Sequence, residues 1–160
     1  MDRKGILEQK LKVQRVKNVL KQLKGIEILE LYEKDEKEAL NAVLEKDVPI
    51  QCSVHTVPFS RISNSASDAE VYQWIISEFS LAEGQIFYYF CEEVWVRIRI
   101  IDLQAAVSSM WRYEVPGSYV PGITVGFLLV DETLSTIMEV GSDSRDEYHY
   151  LIDIWRVDGA

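Results

Sequence analysis

Residues 85–101 read QIFYYFCEEVWVRIRII, two apolar runs joined at Glu92-Glu93. In the second run Val94, Val96, Ile98 and Ile100 alternate with Trp95, Arg97 and Arg99. Successive strand side chains point to opposite faces, so the aliphatic set shares one face and the Trp–Arg set the other. Aromatic and β-branched residues of period two, broken by a tight turn, predict a β-hairpin with one buried face.

The flanking sequence supplies what that face packs against. Asp102 is placed to cap a helix over LQAAVSSMW, which would bury Leu103, Ala106, Val107, Met110 and Trp111. Upstream, Ser67 and Glu70 make the capping box SDAE, opening a helix whose Val71, Trp74, Ile75 and Phe79 face the core. Near the start, Ile6, Val13, Val16, Leu20 and Leu23 form one apolar stripe on a basic helix that Gly25 is placed to cap. IEILELY (26–32) reads as a strand. A helix follows from Asp35, with Ala39, Leu40, Val43 and Leu44 on its buried face, and stops before Pro49. Residues 50–57 read as a strand and 58–65 as a loop.

Downstream, VPGSYVPG (115–122) holds two Val-Pro-Gly units, type II turn chemistry that predicts a loop. TVGFLLV, STIMEVG and EYHYLIDIWRV then read as three strands. Strands in consecutive runs favour an antiparallel sheet over a doubly wound parallel one. The expected fold is α+β: a single domain over residues 1–160, largely antiparallel β-sheet with helices packed mainly on one face. The basic amphipathic helix of residues 1–24 is expected to dock on it.

Hydrophobic residues make up 48% of the 160 and charged residues 27%, a globular balance that excludes disorder. No apolar run is long enough to span a membrane, and the first 25 residues hold no apolar signal segment, so a cytoplasmic location is expected. The net charge of −9 is uneven. Residues 1–25 carry eight cations and two anions, net +6, which leaves −15 for the remainder. A body that acidic repels phosphate backbones and attracts basic proteins. Nucleic acid and membrane are therefore not expected as partners.

Catalytic patterns are scarce. Cys52 and Cys91 match no zinc or CxxC spacing and read as buried free thiols. Cys52 and His55, three apart on a strand, face opposite sides and do not make a nucleophile–base pair. Asp143, Asp146, Glu147 and His149 cluster in GSDSRDEYHY, but His149 and Asp153 lie roughly 13 Å apart on an extended strand, too far to share a small ion. The acidic residues before His149 also lack calcium-loop spacing. No phosphate-binding glycine loop and no HExxH occurs. No cofactor, metal or enzymatic activity is expected.

The run QIFYYFCEEVWVRIRIIDLQAAVSSMW, with GFLLVDETLSTIMEV and the acidic, aromatic RDEYHYLIDIW, resembles bacterial immunity proteins, which neutralise polymorphic toxins delivered between cells. The likeness covers residues 84–156 and lies in the order strand, turn, strand, Asp, helix, Trp. It implies a small cytoplasmic protein without chemistry of its own that binds a toxin domain. Many such toxins are nucleases with basic clefts, for which an acidic body is the complementary partner.

Charge and composition then nominate the contact residues. Asp131, Glu132, Asp143, Asp146 and Glu147 form the expected acidic patch, and Tyr113 and Tyr119 the expected aromatic anchors. Two other readings stay open: a small-ligand-binding protein or enzyme with a pocket at the sheet edge, and an adaptor that works through the basic helix.

Overall fold

The structure, a computed structural model, describes residues 2–32, 38–42, 45, 57–92, 94–114, 123–142 and 145–156. In chain order they form α1 (Arg3–Leu20), β1 (Ile26–Tyr32), α2 (Glu38–Ala42), β2 (Ser60–Ser63), α3 (Asp68–Phe79), β3 (Ile86–Cys91) and β4 (Val94–Ile100). Then come α4 (Leu103–Trp111), β5 (Arg112–Glu114), β6 (Ile123–Val125), β7 (Phe127–Asp131), β8 (Thr136–Gly141) and β9 (His149–Arg156). Seven strands make one sheet in the order β1-β4-β3-β7-β8-β9-β2. Every neighbouring pair is antiparallel, and the chain is an α+β domain.

The β3–β4 hairpin sits inside this sheet, with Phe87 opposite Ile98 and Cys91 opposite Val94. Its aliphatic face meets three helices. Val16 and Val19 of α1, Val71, Ile75 and Phe79 of α3, and Val107, Met110 and Trp111 of α4 close over Val96, Ile98 and Ile100. The predicted caps hold the last two helices. Ser67 and Glu70 make a complete capping box, and the Asp102 carboxylate accepts the Ala105 N–H at 3.1 Å.

The second face of the hairpin corrects the sequence reading. Trp95 is 0% exposed, packed with Leu40 of α2 and with Leu128, Val130, Ile137 and Trp155. Arg97 and Arg99 made this face look solvated throughout. Only their end of the strand is, where they pair with Glu132 at 2.5 Å and Glu27 at 2.9 Å. Both hairpin faces are therefore covered at Trp95, the helix-rich side by α1, α3 and α4 and the other by α2.

Five further expectations shift. The stripe of α1 is buried only from Val16 onward, while Ile6 is 45% exposed. Gly25 does not cap α1, which ends at Leu20. It lies instead at φ 74° under the start of α4, its carbonyl accepting the Ile101 and Asp102 N–H groups at 2.8 and 3.0 Å. A Cβ there would meet the Asp102 carbonyl at 2.4 Å, so only glycine fits. The expected loop 58–65 contains β2, which pairs with β9 from Ser60↔Ile152 to Ser63↔His149. With Ile62 its one aliphatic residue, β2 is too short and polar for a period-two signal. TVGFLLV divides at Gly126 (φ 109°), where β6 leaves the main sheet to pair with β5. The second predicted helix survives among the described residues as α2, with Leu40 buried and Ala39 exposed. Asp35, Val43, Leu44, the strand 50–57 with Cys52 and His55 (except Val57), and the loop 115–122 lie outside the described residues. No helix among those described is long and apolar enough to cross a membrane.

Candidate functional site

The turn entering β9 is built around one carboxylate. Asp146 accepts the Tyr148 N–H at 3.0 Å, meets His149 Nδ1 at 3.0 Å and pairs with Arg61 of β2 at 3.0 Å. The hydrogen bond from His149 holds its carboxyl below the usual carboxylate range, helped by the Tyr148 N–H, against a smaller opposing effect of desolvation. From the β2 side, the Asn64 side chain donates to the Glu147 carbonyl at 2.9 Å and the Asn64 N–H to the Tyr148 carbonyl at 3.0 Å. The carbonyls of Glu147 and Tyr148 are thus tied to Asn64, next to β2, and the Tyr148 N–H to Asp146 within the turn. Glu147 is exposed and the Tyr148 ring is 67% exposed. The turn presents an acid and an aromatic side by side.

Asp131 and Glu132 occupy the other end of β8. That strand is six residues long and spans roughly 17 Å, so the two acidic groups stand at least that far apart and do not merge into one patch. Asp131 is turned inward on its own hairpin. It accepts the Ser135 and Thr136 N–H groups at 2.7 and 2.8 Å and the Thr133 and Ser135 hydroxyls at 2.5 and 2.8 Å. Partial burial works to raise its pKa, but these donors together outweigh it and leave the carboxyl below its ordinary value. Glu132 is occupied by Arg97. Of the expected patch, Asp131, Glu132 and Asp146 are engaged within the chain, and among the described residues Glu147 is the exposed carboxylate with no side-chain bond inside the fold. Asp143 lies outside them.

Tyr113 is buried rather than offered to solvent, which corrects its nomination as an anchor. Burial pushes its hydroxyl up to about 12, with a further contribution from neighbouring Cys91. The sequence places it just after Trp111, and β5 carries it back into the α4 core instead of out along the loop. Tyr119, the other nominated anchor, lies outside the described residues. Tyr148 was missed because alternation along EYHYLIDIW assigns it a sheet face, whereas β9 begins only at His149.

The site's support includes a second unforeseen pair. Arg145, in the same turn, reaches Asp153 of β9 through two parallel contacts of 3.0 and 2.5 Å, both side chains buried. Cys91 is buried, and loss of hydration pushes its thiol up to about 12, with the Glu92 carboxylate adding to the shift. Among the described residues, no group of three His, Cys, Asp or Glu side chains is placed to hold a metal ion. A shallow depression of about 360 Å³ between β7 and β8 has Phe90, Leu128 and Glu139 on its walls. Comparison with protein-family models, with curated proteins and with solved structures finds no match.

Proposed function

We propose that this chain is a non-enzymatic binding protein of the bacterial immunity type, which neutralises a cognate nuclease-type toxin domain in the cytoplasm. The acidic surface it uses is centred on Glu147 and Tyr148. The observation that carries this reading is the bracing of that turn. Asp146, Asn64 and Arg61 fix the backbone on either side of a free acid and a 67%-exposed tyrosine. A contact loop already held in place pays little ordering entropy on binding. Tyrosine is a preferred anchor of protein interfaces, and an adjacent carboxylate adds attraction to a basic cleft. The −15 remainder of the chain extends that attraction beyond the contact itself.

The test is co-expression in a bacterial host with the toxin-like domain encoded by the neighbouring reading frame. The unaltered chain is expected to restore growth, and Glu147→Lys combined with Tyr148→Ala to fail while remaining folded. Absence of rescue by the unaltered chain would overturn the immunity reading. Full rescue by the double variant would move the contact away from this turn. In purified form, Glu147→Lys is expected to slow association with the toxin domain and flatten its salt dependence.

A further inference from the structure

α1 is anchored by one side of its C-terminal half, where Val16 and Val19 are fully buried. The opposite side is in solvent and has its own pattern. Leu7 and Leu11 are 58% and 57% exposed. With Leu7 at position d of a heptad, Lys4, Leu11 and Asn18 fall at a and Gln14 at d. Gln14 donates to Asn18 at 3.3 Å along this seam. Arg3, Lys10 and Lys17 then occupy three successive g positions, all exposed. The buried Val16 and Val19 fall at f and b, on the far side of the helix from the seam. Docking on the domain therefore leaves the a/d stripe open. Along the first turns Arg3, Lys4, Ile6, Leu7 and Lys10 border a groove of about 440 Å³.

We propose that this solvent face of α1 is a docking seam for one acidic amphipathic helix of a partner protein, received as a short two-stranded coiled coil. The g-position cations choose the occupant. Flanking charges at e and g set partner choice in such pairs, and a partner bearing glutamates there meets Arg3, Lys10 and Lys17 with opposite charge. A second copy of this chain does not. In an antiparallel self-pair the cationic g rows face each other, and in a parallel one the attraction of Arg3 to Glu8 is offset by Lys10 meeting Arg15, so neither orientation matches glutamate at every flanking position. An anionic lipid surface is a poorer fit, because the apolar arc is one turn long before Gln14 and Asn18 interrupt it and holds no aromatic residue. The few leucines make the contact weak and dependent on charge. Asn18 at a would fix its register. This surface is separate from the Glu147–Tyr148 turn and opposite to it in sign, so the two stand or fall independently.

The probe is a labelled peptide of three heptads, with leucine at a and d and glutamate at e and g, titrated with the full chain at low ionic strength. Saturable binding is expected. A peptide of the same composition with scrambled leucines, and one with lysine replacing glutamate, are expected not to bind. Lys10→Glu with Lys17→Glu should weaken the acidic peptide at least ~tenfold and create binding to the lysine peptide, as exchange of flanking charges requires. Leu7→Ser with Leu11→Ser should abolish both. These substitutions lie on exposed positions, and an unchanged melting temperature confirms the fold. Equal binding of ordered and scrambled peptides would overturn the proposal. So would a dimer that the leucine variants dissociate, or capture by phosphatidylserine vesicles without peptide binding.

Discussion

Arg145 and Asp153 face each other with both side chains buried, Nη1 to Oδ1 at 3.0 Å and Nη2 to Oδ2 at 2.5 Å. The pair links the turn before β9 to the body of that strand. Removing one partner of a buried pair takes away the contacts that offset the other charge's desolvation, which costs about 3–5 kcal/mol. Asp153→Ala is therefore expected to lower unfolding stability by that amount in urea titration. Arg145→Met with Asp153→Leu, which removes both charges, should recover most of it. A loss below about 1 kcal/mol for the single variant would mean that water reaches the pair.

Asp131 gives the molecule a sensitivity to acid. Its folded pKa is depressed by the four donors of its hairpin, so its contribution is fully present above the unfolded pKa and is lost as pH falls through the folded one. The loss begins below about pH 4, where the unfolded carboxylate takes up its proton first. Asp131→Ala leaves two backbone N–H groups without their acceptor and should cost about 1–3 kcal/mol near neutrality. Urea midpoints measured at neutral and acid pH should converge for the unaltered chain and this variant. Parallel curves would remove Asp131 as a source of the acid response.

Cys91 should behave as a core residue and not as a nucleophile. Burial pushes its thiol up to about 12, so almost no thiolate exists at neutral pH. In a Cys52→Ser background, an aromatic disulfide reagent is expected to label Cys91 at the rate of unfolding and to react at once in denaturant. Labelling of the native chain on the timescale of a free thiol would show that the site opens locally.

Much of the architecture was legible because it is written in short periods. Val94, Val96, Ile98 and Ile100 declared their face by alternation, and Ser67, Glu70 and Asp102 declared helix starts by capping chemistry. What escaped depends on contacts distant in sequence. Trp95 is buried because Leu40 and Trp155 happen to reach it. β2 exists because β9 offers it an edge. The same limit applies to the acidic residues. Their clustering in sequence was plain, but which carboxylates stay free was decided by Arg61, Arg97 and the hairpin donors around Asp131.

The bracing of the Glu147–Tyr148 turn can be separated from its contact chemistry. The Tyr148 N–H donates to Asp146 Oδ1, and the same carboxylate holds His149 and Arg61. Asp146→Ala removes all three without touching the exposed ring. Local opening should then rise, and exchange of the Tyr148 amide with solvent deuterium should quicken roughly tenfold while the amides of β4 keep their protection. Tyr148→Ala should do the reverse, because an exposed ring contributes little to folding. Its backbone hydrogen bond stays and the amide keeps its exchange rate. Against a toxin domain, the first variant is expected to weaken binding through lost preorganisation and the second through a lost anchor. Equal amide exchange in the Asp146→Ala variant and the unaltered chain would show that Asn64 alone orders the turn, and the role of Asp146 would then reduce to its charge.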